Sequence, residues 1–254
     1  MDEENADLIH AVARFDQDLT ASLTAFAGYC PPFEYTRVPF SNGETLSIRF
    51  AQGDGQPAIL SLKSRGKTVI GVKPEFRCSW DSSGSFLAVE QSSFAVYPFA
   101  KVGTDPLLRL EYVRNQAARL PSSHLHVHAH RDEFTHLLGF AAKLDAQREG
   151  QVTRYFSRPS LLSDFHFPTG GHRFRPCLED LLEVLRVEFE LDVDNNAWQP
   201  QLASAREKWR RIQTAAVVRD CPEEALRVLV EDFGMPRPTG WECPPTNLRK
   251  FTRS

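Results

Sequence analysis

His124-Leu125-His126-Val127-His128-Ala129-His130 alternates imidazole with apolar side chains at every step. A period of two belongs to an extended strand, in which successive side chains point to opposite faces of a sheet. The pattern predicts a strand that turns Leu125, Val127 and Ala129 to the core and all four histidines to the other face. Same-face neighbours then lie about 7 Å apart, a separation that two imidazoles bridge by converging on one ion or one substrate.

Working outward, the region before this stretch has the texture of a sheet. Leu46, Ile48 and Phe50 alternate with polar residues, and further β-type runs cover 58–62, 68–72, 86–90, 94–99 and 107–113. Asn42-Gly43, Gly53-Asp54-Gly55, Arg65-Gly66 and Ser82-Ser83-Gly84 punctuate them. Such short connections predict an antiparallel meander with one face buried.

Helical periodicity brackets this sheet. Leu8, Val12, Phe15, Leu19, Leu23 and Phe26 recur every three or four residues, and Tyr29-Cys30-Pro31-Pro32 closes that helix. The segment 132–147 leans helical, and 161–167 reads as a strand. Pro176 suits a first helical position, and Leu178, Leu181, Leu182, Leu185 and Phe189 form an apolar stripe behind it. Two more helices are expected near 198–218 and 222–233, the second opened by an Asp220/Glu223 capping box. The fold class is therefore α+β: an N-terminal helix, a mostly antiparallel sheet, and C-terminal helices packed on one face or end. The expected division is a main domain over 1–190, a helical pair over 191–235 and a loosely held tail over 236–254.

Composition narrows the function classes. A net charge of -3 and a pI near 6.3 argue against whole-surface attraction to nucleic acid or anionic membrane. No apolar run approaches the roughly 20 residues of a membrane helix, and the acidic start Met1-Asp2-Glu3-Glu4 is unlike a secretory signal. Five widely spaced cysteines without a C-x-x-C pair point to a reducing, cytoplasmic compartment.

Seven of the eight histidines fall between 124 and 172. The second element of this region, Phe165-His166-Phe167-Pro168-Thr169-Gly170-Gly171-His172-Arg173-Phe174-Arg175, reads as a strand, a glycine turn and a basic entry to a helix. Turn amides, a helix N-terminus, Arg173 and Arg175 together suit a phosphate or carboxylate. Arg109, Glu111 and Arg114, on the strand before the histidines, are within reach of the same site. The basic stretch Arg206, Lys208, Arg210 and Arg211 reads first as a solvated helix face.

Two resemblances attach to these residues. Leu108-Arg109-Leu110-Glu111-Tyr112, then His124 to His130, then Leu178 to Leu185, resemble the TumE-like group of small bacterial toxin proteins over the segment 105–190. That resemblance implies a toxin–antitoxin or phage-defence context. His126, His128 and Glu133, followed by Pro168, Gly170 and His172, are similar to the metal motifs of the cupin family. That resemblance implies a divalent metal.

Three functions are expected in order. The first is a toxin-like enzyme acting on RNA or another phosphate-bearing substrate. His126, His128 and His172 would supply acid–base chemistry, and Arg173, Arg175 and Arg109 would hold the substrate. The second is a metal-dependent, cupin-like enzyme or metal-binding protein using His126, His128, Glu133 and His172. The third is a non-catalytic partner, such as an antitoxin or adaptor, whose histidines form an interface.

Overall fold

The computed structural model describes residues 3–40, 43–52, 59–80, 87–101, 105–114, 121–128, 167–170 and 173–252. The helix expected over 132–147, the strand expected from 161 up to 166, and His130, Glu133, His166 and His172 lie outside these residues.

The N-terminal helix α1 (Glu3–Ala27) buries Val12, Leu19, Leu23 and Phe26 along the stripe read from the sequence. It stops before the prolines. Gly28 takes the left-handed conformation (φ 78°), and its N–H donates to the Thr24 carbonyl at 2.8 Å, the usual way of ending a helix on glycine. Pro31 and Pro32 only redirect a chain that has already left the helix.

Eight strands form one antiparallel sheet among the described residues. They are β1 (Phe33–Phe40), β2 (Gly43–Phe50), β3 (Leu60–Ser64), β4 (Lys67–Trp80), β5 (Leu87–Pro98), β6 (Leu108–Val113), β7 (Ser123–Val127) and β8 (Phe167–Pro168). The lateral order is β1-β2-β4-β5-β6-β7-β8, with β3 also paired to β4. The meander expectation fails at one place. β2 skips β3 and pairs its Leu46–Arg49 with Glu75–Cys78, while β3 pairs with the first half of β4. Fourteen-residue β4 is long enough to carry both strands end to end on one edge. The runs expected after residue 86 belong to one strand as well, β5.

The β3–β4 turn is made by Arg65 (φ 52°) and Gly66 (φ 75°), both left-handed as a two-residue hairpin requires. Their N–H groups donate to the Asp192 carboxylate at 2.7 and 2.6 Å, which ties the hairpin to the start of the C-terminal region.

Helix α2 (Leu178–Glu188) starts two residues later than Pro176 suggests. Cys177 is its N-cap, and the Cys177 N–H donates to Asp180 Oδ2 at 3.2 Å. Helix α3 (Asn195–Asp220) is capped by Asp194, whose carboxylate accepts from the Asn196 N–H at 2.9 Å. Helix α4 (Pro222–Glu231) is capped by Cys221, not Asp220, and has Pro222 in its first turn. Asp220 ends α3 instead and turns its carboxylate to Arg173. A short helix, α5 (Leu248–Phe251), follows.

One apolar core joins these parts. Phe26 of α1 meets fully buried Trp198 of α3 edge-on, with ring centroids 4.8 Å apart. Leu182 and Leu185 of α2, Leu202 of α3, and Ile48, Val72, Phe94 and Leu110 of the sheet share that core. Beyond the Trp198 end the polypeptide is more exposed, and α4 buries no residue. Among the described residues no helix is long and apolar enough to cross a membrane.

Candidate metal centre

The pairing of β6 with β7 decides which side chains meet. Arg109 lies opposite His126, Leu110 opposite Leu125, Glu111 opposite His124, and Tyr112 opposite Ser123. Residues directly opposite in an antiparallel pair share a face. Leu108, Leu110, Leu125 and Tyr112 therefore point to the core side. Arg109, Glu111, His124 and His126 stand together on the other. The same row continues into β5, where Ser93 faces Glu111 and Ala95 faces Arg109, two small side chains that leave room for the longer ones. On the far side, β8 places Pro168 beside His124.

The imidazole face is not a wet one. His124 is 2% exposed and His126 6% exposed. Their rings meet edge-on at 4.8 Å. His124 Nδ1 lies 2.9 Å from the Pro121 carbonyl oxygen. A carbonyl can only accept, so Nδ1 carries the proton and donates. His124 Nε2 lies 3.5 Å from Glu111 Oε2: protonated, it donates to the carboxylate, and deprotonated, it offers an electron pair to a cation. His126 Nε2 approaches the same oxygen at 2.9 Å. One ligand atom from each of Glu111, His124 and His126 lies within 4.8 Å of the other two.

These separations suit a bound cation. With metal–ligand bonds of about 2.1 Å, ligand atoms stand about 3.0 Å apart at right angles and about 3.4 Å apart at tetrahedral angles. The 2.9 and 3.5 Å contacts bracket both cases. Burial alone would raise the Glu111 carboxyl. The two imidazoles and then Arg109 outweigh it and hold Glu111 well below the usual carboxylate range. Glu111 is thus an anion wherever the protein is folded near neutral pH. Ser122, fully buried, extends the β6–β7 ladder through its carbonyl, which accepts from the Val113 N–H at 2.8 Å. Its hydroxyl has no hydrogen-bond partner among the described residues.

The residues singled out from the sequence are distributed as follows. His126 is in the cluster, and His124 joins it. His128 lies just past β7, half-buried, with its N–H donating to the Leu107 carbonyl at 2.9 Å. Arg109 borders the cluster through Glu111. Glu133 lies outside the described residues; among those described, the carboxylate beside the imidazoles is that of Glu111. The signal that identifies Glu111 is its strand register opposite His124, which sequence periodicity does not contain.

Arg175 stands elsewhere. Its guanidinium carbon lies 3.5 Å over the ring of Tyr112 and 4.9 Å from that of Trp209. Tyr112 is on the core side of β6, so the sheet itself separates Arg175 from the imidazoles. Arg173 is ion-paired to Asp220 at 2.5 Å, with both side chains largely shielded. These contacts brace α3 against the sheet. On α3, Arg206 pairs with Asp180, Lys208 with Asp18 and Arg211 with Glu207, as a solvated and ion-paired helix face would.

Comparison with protein-family models, with curated proteins and with solved structures returns no match for this chain, so what its centre does is read from Glu111, His124 and His126 themselves.

Proposed function

We propose that the protein is metal-dependent and that Glu111, His124 and His126 hold one divalent first-row transition ion. The observation that carries this reading is the convergence of His124, His126 and Glu111 ligand atoms at one point. His124 Nδ1 faces the Pro121 carbonyl, and its Nε2 converges with His126 Nε2 on one carboxylate oxygen. A carbonyl on the far nitrogen is the usual partner of a metal-ligating histidine. Two imidazoles and one carboxylate suit Zn(II), Fe(II) or Co(II) better than the oxygen-seeking Mg(II) and Ca(II). Such an ion supplies Lewis acidity to a bound oxygen. The chain's own part is to present two imidazole nitrogens and one carboxylate oxygen from a rigid strand pair.

The test is elemental analysis of protein purified without chelator, with titration of chelator-stripped protein by Zn(II) and Co(II). Stoichiometric uptake that is lost in His126→Ala supports the reading. Failure of the wild-type protein to take up either ion overturns it.

A second reading keeps the same groups without the ion. His126 and Glu111 at 2.9 Å form an acid–base pair. Such a pair would serve a toxin-like enzyme acting on RNA or another phosphate-bearing substrate. Activity that survives exhaustive chelation would favour it. Either chemistry fits a reducing, cytoplasmic setting, in keeping with five free thiols.

A further inference from the structure

We propose that Arg109 is a positioning residue that makes Glu111 a one-oxygen ligand of this centre, keeping the bound ion low-coordinate. The inference rests on the metal reading above. The two oxygens of Glu111 are divided between different partners. Oε2 faces both imidazoles, and Oε1 lies 3.0 Å from Arg109 Nε. Arg109 and Glu111 are two apart on β6, so strand alternation puts both on the imidazole face. Arg109 also lies directly opposite His126. Its Nε is shielded from water and makes no hydrogen bond of normal geometry among the described residues, so it holds Oε1 as an ion-pair partner. Ala95, opposite Arg109 on β5, leaves the space the guanidinium stem occupies.

The consequence follows from carboxylate chemistry. A carboxylate with both oxygens free can turn and chelate through both, which raises the coordination number and admits ions that prefer oxygen. With Oε1 held by a cation, only Oε2 is offered. The protein then contributes three ligand atoms: two nitrogens and one oxygen. An ion content with tetrahedral geometry is favoured over one that demands six oxygens. Affinity alone is an ambiguous readout, because removing Arg109 frees the carboxylate and also removes a charge that repels the ion. Coordination geometry is the better measure.

The experiment is the visible absorption of the Co(II)-loaded full-length protein, which is intense for four-coordinate Co(II) and weak for six-coordinate Co(II). Wild type, Arg109→Met and Arg109→Lys are compared, alongside infrared difference spectra of the wild-type carboxylate stretches with Glu111→Gln as reference. We expect an intense wild-type band, a loss of intensity in Arg109→Met, and recovery in Arg109→Lys, which keeps a cation beside Oε1. The infrared splitting should be that of a one-oxygen carboxylate. An Arg109→Met spectrum identical to wild type overturns the inference, and so does a two-oxygen splitting in the wild type. The infrared arm decides the matter even if Arg109→Met does not fold. A wild-type protein that takes up no Co(II) or Zn(II) overturns the metal reading itself, a result distinct from uptake with unaltered geometry.

Discussion

Glu111 stands directly across the β6–β7 pair from His124, and its Oε2 lies 3.5 Å from His124 Nε2. A single cross-strand register thus joins a carboxylate to two imidazoles that are 13 and 15 positions away in the chain. The first prediction follows. His124→Ala, His126→Ala and Glu111→Ala each remove one of the proposed ligands. Each should weaken Zn(II) binding by more than the ~10–100-fold typical of losing an outer hydrogen-bond partner. Competition against a chromophoric chelator measures it, and affinity unchanged in all three would exclude this centre.

Binding to the native state alone must also stabilise it. At free Zn(II) near 100 times its dissociation constant, the wild type should gain about 2.7 kcal/mol against unfolding. His126→Ala, if its affinity falls 100-fold or more, should gain no more than about 0.4 kcal/mol at the same concentration. Urea titrations with and without the ion would show this, and equal gains in both proteins would place the ion elsewhere.

Arg173 and Asp220 are a shielded ion pair in which the Asp220 side chain is only 6% exposed. Removing one partner leaves a buried charge uncompensated. Arg173→Ala should therefore cost about 3–5 kcal/mol of stability, and the double change Arg173→Leu with Asp220→Leu should cost less. Were Arg173 held for a ligand alone, Arg173→Ala would unfold at the wild-type urea concentration.

Glu183 accepts from Arg186 through both oxygens and from the Trp198 indole N–H at 2.8 Å. The Arg186 hydrogen bonds chiefly, and then Trp198, lower its carboxyl from the usual 4.5 to about 2. A lowered folded-state pKa means the unfolded chain binds the proton first. The contribution is present above pH 4.5 and is lost as pH falls toward about 2. Glu183→Gln should accordingly lose less stability than wild type across that window in acid titrations followed by circular dichroism. Parallel curves would contradict the assignment.

Burial pushes the Cys78 thiol up to about 12, and it also raises Cys177, with Glu179 and Asp180 adding to the effect. Both side chains are buried, whereas Cys221 and Cys243 are half-buried. The thiolate is the reactive species. At pH 8 an alkylating reagent should modify Cys221 and Cys243 in the native protein, while Cys78 and Cys177 should react only on unfolding. Mass mapping of the modified peptides would decide it.

Local periodicity determined much of this protein. The 3.6-residue stripe from Val12 to Phe26 specifies α1, and the alternation of Leu125 and Val127 with histidine specifies which side of β7 meets the core. Each is a property of a few consecutive residues, because burial on one face imposes a period on the chain that bears it. Helix ends were less legible: Gly28, Cys177 and Cys221 cap where Pro31, Pro176 and Asp220 were the louder signals. What only the tertiary structure decided is pairing. β2 passes over β3 to reach β4, Arg175 lies beneath the sheet against Tyr112, and Glu111 meets His124. None of these is periodic in sequence. Strand order and register are set by how separate segments bury their apolar faces together, and a shift of one residue would have carried Glu111 to the core side, away from both imidazoles.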